Sequence, residues 1–299
     1  MLLCIGCWDH EQAREREMSR RLGILVIILL LTAGMLHPGG GWAEGLMRLY
    51  FLDVGQADAT IIICDDEVLM IDGGNAADSR LIYAYLRNTL GIRHINYMIA
   101  THPHEDHVGG LAAALNACTV DVLYTSVLEY DSKAFRSLMK YARKQDTRIV
   151  IPSPGDTFSV GTASVVILGP IRNYANSNDM SIVCRITYGD VRFLFGGDAE
   201  WEAEHDLVET GVDLSADVLL VNHHGSDTSS SYVFLRAVMP TYAIISVGSD
   251  NSYGHPSEEV LSRLRDASVT ILRTDISGDI ECVTDGSACS FITQKGNLP

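Results

Sequence analysis

Positive charge is what this sequence has little of. Its 22 lysines and arginines face 38 aspartates and glutamates, for a formal charge of −16. Such a surface repels polyanions over most of its area, so a broad basic groove for nucleic acid is disfavoured. Linkers, repeats and low-complexity stretches are absent from Met47 to Ile292, which points to one domain over residues 44–299. The five cysteines beyond residue 7 form no CxxC zinc pattern. No histidine lies between His107 and His205. Disorder is excluded by the 47% apolar content against 20% charged.

One long uncharged apolar run is present, from Leu22 to about Leu36. It follows Arg20 and Arg21 and precedes Gly41-Trp42-Ala43. A basic start, an apolar middle and small residues before a cut after Ala43 have the order of a secretory signal. These flanks favour a cleaved signal over a retained anchor, although the run comes close to the ~20 residues that span a bilayer. The chain is therefore expected to be exported, extracellular or at the cell envelope, and to touch the membrane only if residues 22–36 stay attached. Residues 1–43 hold four acidic and four basic side chains, so their removal leaves the charge at −16. In an exported chain Cys282 and Cys289 become candidates for a disulfide. They flank Asp285-Gly286, and a two-residue turn there places them directly opposite each other.

Strand and helix patterns alternate. Leu49–Leu52, Thr60–Ile63, Val68–Ile71 and Tyr97–Ala100 read as strands, with helical spacing over 78–90 and a helix over 107–116. Later strands are expected at Ser164–Leu168, Ser181–Ile186, Val191–Phe195, Val218–Val221, Tyr242–Val247 and Val269–Leu272. Helices are expected at Ala199–Glu209, around Phe234-Leu235 and at Glu258–Leu264. Two sheets covered by helices on their outer faces satisfy this α/β order.

The densest chemical signal is Thr101-His102-Pro103-His104-Glu105-Asp106-His107, directly after a strand. Imidazoles and carboxylates at this spacing are ligands for zinc, manganese or iron. On an extended loop His102 and His104 point the same way, while Asp106 and His107 open the next turn. Two further acids, Asp72 and Asp198, each end a hydrophobic strand.

This loop resembles the HxHxDH signature of the metallo-β-lactamase superfamily, an αββα sandwich of hydrolases holding one or two metals. Asp72 and Asp198 match its early and its metal-bridging aspartates. Phe51–Ala59, Val221–Ser226 with Thr228–Ser231, Asn251–Pro256 and Arg273–Gly278 narrow the resemblance to the hydrolase domain of the ComEC-like competence proteins. The middle histidine of many superfamily members has no counterpart, and Asn178-Asp179-Met180-Ser181 occupies its stretch. The transporter's many membrane segments are missing as well. The resemblance implies one or two divalent ions, zinc or manganese, generating a metal-bound hydroxide. His102, His104 and Asp198 are assigned to one ion and Asp106, His107 and Asp198 to the other. Either His223 or His224 completes the set. Asp106, Asp198 and His255 are the catalytic candidates. Ser226, Thr228, Ser229 and His255 are placed near an anionic group, with helix N-capping as the alternative for the serines. Asp53 is as well suited to a structural role as to a catalytic one. His10, His37, His94 and His205 receive no role.

The favoured function is a phosphodiesterase or nuclease-like hydrolase acting on a small anionic or phosphodiester substrate, with long nucleic acid disfavoured by the charge. Its competitors are a lactam or lactone hydrolase and a non-catalytic, metal-holding binding module of the envelope.

Overall fold

The hydrophobic strands pair into two mixed sheets flanked by helices, and the computed structural model describes residues 45–296. The expected signal segment, with Cys4 and Cys7, lies outside the described residues. The strands are β1 (Met47–Phe51), β2 (Thr60–Cys64), β3 (Glu67–Ile71), β4 (His94–Ala100), β5 (Thr119–Thr125), β6 (Arg148–Val150), β7 (Thr157–Val160) and β8 (Ala163–Gly169). They continue as β9 (Val183–Tyr188), β10 (Val191–Phe195), β11 (Val218–Leu220), β12 (Tyr242–Ile245), β13 (Thr270–Arg273), β14 (Ile280–Thr284) and β15 (Cys289–Thr293). One sheet has the order β15-β14-β1-β2-β3-β4-β5-β6 and the other β13-β12-β11-β10-β9-β8-β7.

Both sheets are antiparallel on one side and parallel on the other. Parallel neighbours need a crossover, usually a helix. Here α1 (Ser79–Ala84) precedes β4, α2 (Glu105–Val108) and α3 (Leu111–Ala117) precede β5, and α4 (Lys133–Lys144) precedes β6. In the second sheet α5 (Trp201–Glu209), α6 (Tyr232–Val238) and α7 (Glu258–Asp266) link β10 to β13, and the single turn α8 (Thr274–Ser277) follows.

All five residues of β2 are buried, so both of its faces are covered. Alternate residues of the two sheets meet in one core: Phe51, Ile62, Leu69 and Ile99 face Val165, Ile167, Phe193 and Phe195. The rings of Phe51 and Phe195 stack with centroids 6.3 Å apart. Each such buried side chain contributes about 1.5–3 kcal/mol. A second cluster joins Leu194, Leu219 and Ile245 to Leu207, Phe234 and Leu264 of the covering helices.

Three expectations need correction. The helix expected over 107–116 is divided into α2 and α3 at Gly109 and Gly110, which pack so closely on the turn after β3 that a Cβ at Gly110 would stand 2.0 Å from Gly73 O and one at Gly109 2.2 Å from Ala76 N. The strand expected from Ser181 begins at Val183, since the Ser181 hydroxyl accepts from the Asp198 amide at 3.0 Å. The two-residue turn that would set Cys282 directly opposite Cys289 is not formed, and the two stand as free thiols. The connection is four residues long, with the Asp285 carboxylate accepting from Ser287 N and Ala288 N, so β14 and β15 pair Thr284 with Cys289 and Cys282 with Phe291.

Candidate metal centre

The parallel strands β3, β4, β10, β11 and β12 bring their carboxyl ends to one region, where α/β sheets usually form their sites. Beyond these ends lie Asp72, His102–His107, Asp198, His223-His224 and His255 in turn.

After β4 the extended backbone places His102 Nε2 and His104 Nδ1 3.0 Å apart. His104 bonds Ser177 Oγ through its other nitrogen at 2.7 Å, which leaves Nδ1 directed at His102. Helix α2 starts one residue later and turns His107 inward, fully buried. The Asp72 carboxylate accepts from Thr101 N at 2.9 Å, from Thr101 Oγ1 at 2.7 Å and from His107 Nδ1 at 2.8 Å. Fixing one ring nitrogen this way frees Nε2 as a lone-pair donor, the usual arrangement behind a ligating imidazole.

Asp198 follows a Gly196-Gly197 turn. Gly197 has φ +53° and its missing Cβ makes room for Thr101 Oγ1. Asp198 is 2% exposed. Its Oδ1 lies 3.1 Å from His107 Nε2 and 3.8 Å from His224 Nε2, and its Oδ2 lies 3.6 Å from both His102 Nε2 and His223 Nε2.

His223 and His224 sit in a left-handed stretch, with φ +51° and +53° before Gly225 at +82°. Left-handed backbone costs about 1–2 kcal/mol per non-glycine residue. Hydrogen bonds offset it: His223 N donates to Gly197 O at 3.0 Å and Ser229 Oγ to Asn222 O at 2.8 Å. Beneath them the buried Glu204 accepts from Asn222 Nδ2 at 2.9 Å, Ser230 N at 2.5 Å and Ser231 N at 2.9 Å. Burial pushes the Glu204 carboxyl up to about 6 against those bonds. His224 Nδ1 is held 3.0 Å from Ser246 O and 3.5 Å from Asp58 Oδ1.

Two groups of ligand atoms result: Asp106, His107, Asp198 and His224, and His102, His104 and Asp198, each within 4.8 Å of one another. His107 Nε2, His224 Nε2 and Asp198 Oδ1 are buried with no hydrogen-bond partner. Leaving a buried polar atom unpaired costs about 1–3 kcal/mol, so the convergence of three on one point fits a divalent cation. Imidazole and carboxylate are the donors such ions take. Asp58 stands behind this group, both of its oxygens equally unpartnered. A third group, Asp58, Asp72 and His107, shares His107 with it.

The electrostatics agree with this grouping. Burial, then the nearby His107, holds the His102 ring well below its ordinary range. Burial opposes charge on Asp198 too, but His107, His224 and His102 outweigh it and hold the carboxyl well below normal. On His107 and His224 burial is again overcome, mainly by Asp198, and both rings are raised well above normal. A cation replacing those protons releases them, so metal uptake is coupled to pH.

The remaining predicted residues separate. Ser229 is buried and its hydroxyl closes the histidine loop onto Asn222 and Ser226. Ser226 is buried with its Oγ 3.0 Å from Thr228 Oγ1. Thr228 is exposed and donates to Glu200 Oε1 at 3.0 Å. The helix cap is Ser231, which accepts from Phe234 N. His255 is positioned by Asn251, whose Oδ1 accepts from His255 N and whose Nδ2 donates to His255 O. Its ring lies 5.7 Å from that of His223, with Nδ1 3.2 Å from Gln56 Nε2. Burial and then His223 and His224 lower its imidazole to about 4. Asp53 accepts no ligand geometry; its amide donates to Asp279 and its carboxylate lies 3.8 Å from Lys295 Nζ. The stretch that replaces the middle histidine serves the scaffold: Ser181 holds Asp198 N, and Asp179 accepts from Glu200 N and Ala203 N.

Sequence reasoning passed over Ser177, Gln56, Glu200 and Glu204. Gln56 and Glu200 had a usable signal, each lying within two residues of a motif acid; Glu204 and Ser177 had none.

A cluster of histidines and aspartates at the carboxyl ends of parallel strands, between two mixed sheets, defines a metal-dependent hydrolase fold. The chain belongs to the metallo-beta-lactamase superfamily, whose family model matches residues 52–249. Within it the chain is similar to Competence protein ComA of Neisseria gonorrhoeae, 29% identical over 266 residues that cover 88% of this chain and 36% of that protein. It is also similar to ComE operon protein 3 of Bacillus subtilis, 28% identical over 295 residues covering 86% and 38%. The resemblance to competence proteins read from the motifs is borne out. The chain spans little more than a third of the length of these relatives. Among solved structures, the metallo-beta-lactamase fold protein YhfI from Bacillus subtilis shares the fold at 14% identity and a TM-score of 0.53, covering 79% of this chain and 99% of its own. CmlA, a diiron β-hydroxylase from Streptomyces venezuelae, does so at 15% identity and a TM-score of 0.52, covering 84% and 54%.

Proposed function

We propose that this chain is a metal-dependent phosphodiesterase that cleaves a small phosphodiester or another phosphorylated anion, after export to the cell envelope. The observation that carries the hydrolase reading is the pair of ligand groups joined by Asp198, with their unpaired buried atoms. Divalent ions held by His102, His104, Asp106, His107, Asp198 and His224 would supply an acidified water and neutralise charge on a phosphoryl oxygen.

The chain's own groups fit the rest of the task. Asp106 is the one ligand candidate of its group with a side chain as much as 32% exposed, placed to orient a water from the solvent side. His255 is neutral at pH 7, so its ring can hydrogen-bond an ester oxygen without adding charge. Thr228 is exposed, with its Oγ1 3.4 Å from His223 Nδ1. An anion also needs an approach, and α4 carries a cationic stretch: Lys133, Arg136, Lys140, Arg143 and Lys144. A cleft of about 610 Å³ lined by Arg136, Lys140 and Arg143, with Glu129 and Asp131 also in its wall, includes Tyr130. That ring lies 6.0 Å from His104.

The test is hydrolysis of bis-p-nitrophenyl phosphate by the purified full chain with Mn²⁺ or Zn²⁺. Turnover abolished by chelator and by His104→Ala is expected. No turnover with either metal refutes the phosphodiesterase reading, and nitrocefin hydrolysis in its place assigns the centre to lactam chemistry.

A further inference from the structure

The two oxygens of Asp198 sort the surrounding imidazoles into two sets. His107 and His224 address Oδ1, at 3.1 and 3.8 Å, while His102 and His223 address Oδ2, both at 3.6 Å. The Oδ1 set, with Asp106, offers two imidazoles and two carboxylates. Without His223 the Oδ2 set offers His102, His104 and one carboxylate oxygen, one protein donor fewer than the Oδ1 set. We infer that His223 supplies the third imidazole to the ion at His102, His104 and Asp198, in place of the middle histidine that the chain lacks. The His223-His224 pair then gives one ring to each of two ions.

Three features support this. First, two successive left-handed residues splay the rings, 6.2 Å apart and inclined by 62°, so that neighbours in sequence reach opposite oxygens of one carboxylate. Strain of this kind persists only where the surroundings enforce it, and it gathers at functional sites. Secondly, His223 Nδ1 lies 3.2 Å from Glu200 Oε1 and 3.4 Å from Thr228 Oγ1, leaving Nε2 as the nitrogen directed at Asp198. A carboxylate behind the far nitrogen is the arrangement that prepares an imidazole for a metal, and Asp72 treats His107 in the same way. Thirdly, the segment that could have carried a middle histidine is committed to the scaffold through Ser181 and Asp179. His223 stands outside the three-residue group whose ligand atoms lie within 4.8 Å of one another. Its side chain is 21% exposed, with Nε2 3.6 Å from Asp198 Oδ2.

The inference rests on the metal-centre reading and not on the choice of substrate. Zinc stoichiometry and chelator-competition affinity of the full chain test it without any turnover. Wild type should hold two ions and His223→Ala one. His104→Ala should likewise hold one, and the double variant His104→Ala/His223→Ala should still hold one, since both residues serve the same ion. The pair His223→Ala/His224→Ala should hold none tightly. Affinity for the lost ion should fall more than the ~100-fold that removal of an outer hydrogen-bond partner gives. Should the alanine variant melt early, His223→Gln, checked by far-ultraviolet circular dichroism, carries the same expectation. A single ion in wild type, two ions in His223→Ala, a loss of ~100-fold or less, or loss of both ions in the double variant with His104 overturns the assignment.

Discussion

Replacing Asp72 by asparagine should weaken one metal site and spare the other. Asp72 is 1% exposed and its carboxylate accepts three hydrogen bonds, two at Oδ2 from Thr101 Oγ1 and His107 Nδ1 and one at Oδ1 from Thr101 N. An amide must put its NH2 at one of these positions. Placed at Oδ1, it faces the Thr101 N–H, donor against donor. Placed at Oδ2, it forces His107 Nδ1 to accept, which moves the ring proton to Nε2, 3.1 Å from Asp198 Oδ1 and in the path of the ion. Removing a partner behind a ligating imidazole costs 10–100-fold in metal affinity, about 1.4–2.7 kcal/mol. One unpaired buried donor costs the fold about 1–3 kcal/mol. At about 2–4 °C per kcal/mol for a unit of this size, the metal-free protein should melt about 2–12 °C lower. The assay is zinc competition with a chelator in a His104→Ala background, where only the ion at Asp106, His107 and His224 should remain. Affinity within threefold of the parent, or a loss in the His102–His104 ion instead, refutes the role given to Asp72.

Glu204→Ala orphans Asn222 Nδ2, Ser230 N and Ser231 N at once; at about 1–3 kcal/mol each and with imperfect additivity, urea denaturation should show a loss of about 3–5 kcal/mol, and a change under 1 kcal/mol counts against its role beneath the histidine loop. Glu204 also sets a pH dependence. Its carboxyl is raised from 4.5 to about 6 by burial, so the folded state holds the proton more tightly; the associated stability is full below about pH 4.5 and lost as pH rises through 6, about 2 kcal/mol in all. Comparing wild type with Glu204→Gln from pH 4.5 to 7 should show that slope flattened in the variant, and parallel curves contradict it. Gly110→Ala pushes a methyl group to 2.0 Å from Gly73 O and 3.0 Å from Ile82, a backbone collision that should cost at least about 3 kcal/mol; a soluble variant with an unchanged melting temperature shows that α3 and the β3 turn are not fixed as described.

The parts of the fold legible in the sequence are those where one residue pattern has one structural solution. β2, β3, β10 and β11 are short apolar runs bounded by polar turns, and they emerged where expected. β5, α4, β6 and β7 went unseen. The run at Thr119–Thr125 has exposed Thr119 and Asp121 alternating with buried neighbours, and five cations in Lys133–Lys144 obscure an apolar face of Phe135, Leu138 and Met139. The hairpin register failed for a different reason. Asp285-Gly286 reads as a two-residue turn, but the Asp285 side chain satisfies Ser287 and Ala288 amides and widens the loop to four. Local side-chain bonds of this kind leave no periodicity to read. In the candidate site, residue types that ligate metals were visible because they cluster in sequence. Glu200 lies two residues after Asp198, but Ser177 and Glu204 carry no such signal, and only the fold brings them to the site.

The carboxylates of this centre bear on the charge of the whole chain. Asp58, Asp72, Asp106, Asp198 and Glu200 surround the imidazoles of His102, His104, His107, His223 and His224. Two of those rings, His102 and His104, are held below their ordinary range by burial and neighbouring positive charge, and so stay neutral at pH 7. An anionic substrate meeting that set in a chain of charge −16 is repelled. Divalent ions reverse the sign locally, because a bound cation is the largest charge in its site. Affinity for an anion should therefore follow metal occupancy more steeply than it follows ionic strength. The same reasoning explains why the unpaired atoms are Asp198 Oδ1, His107 Nε2 and His224 Nε2 and not the outer nitrogens. The outer nitrogens of His107, His224 and His104 are committed to Asp72, Ser246 and Ser177, so on these rings the inner nitrogen is the one left to a cation.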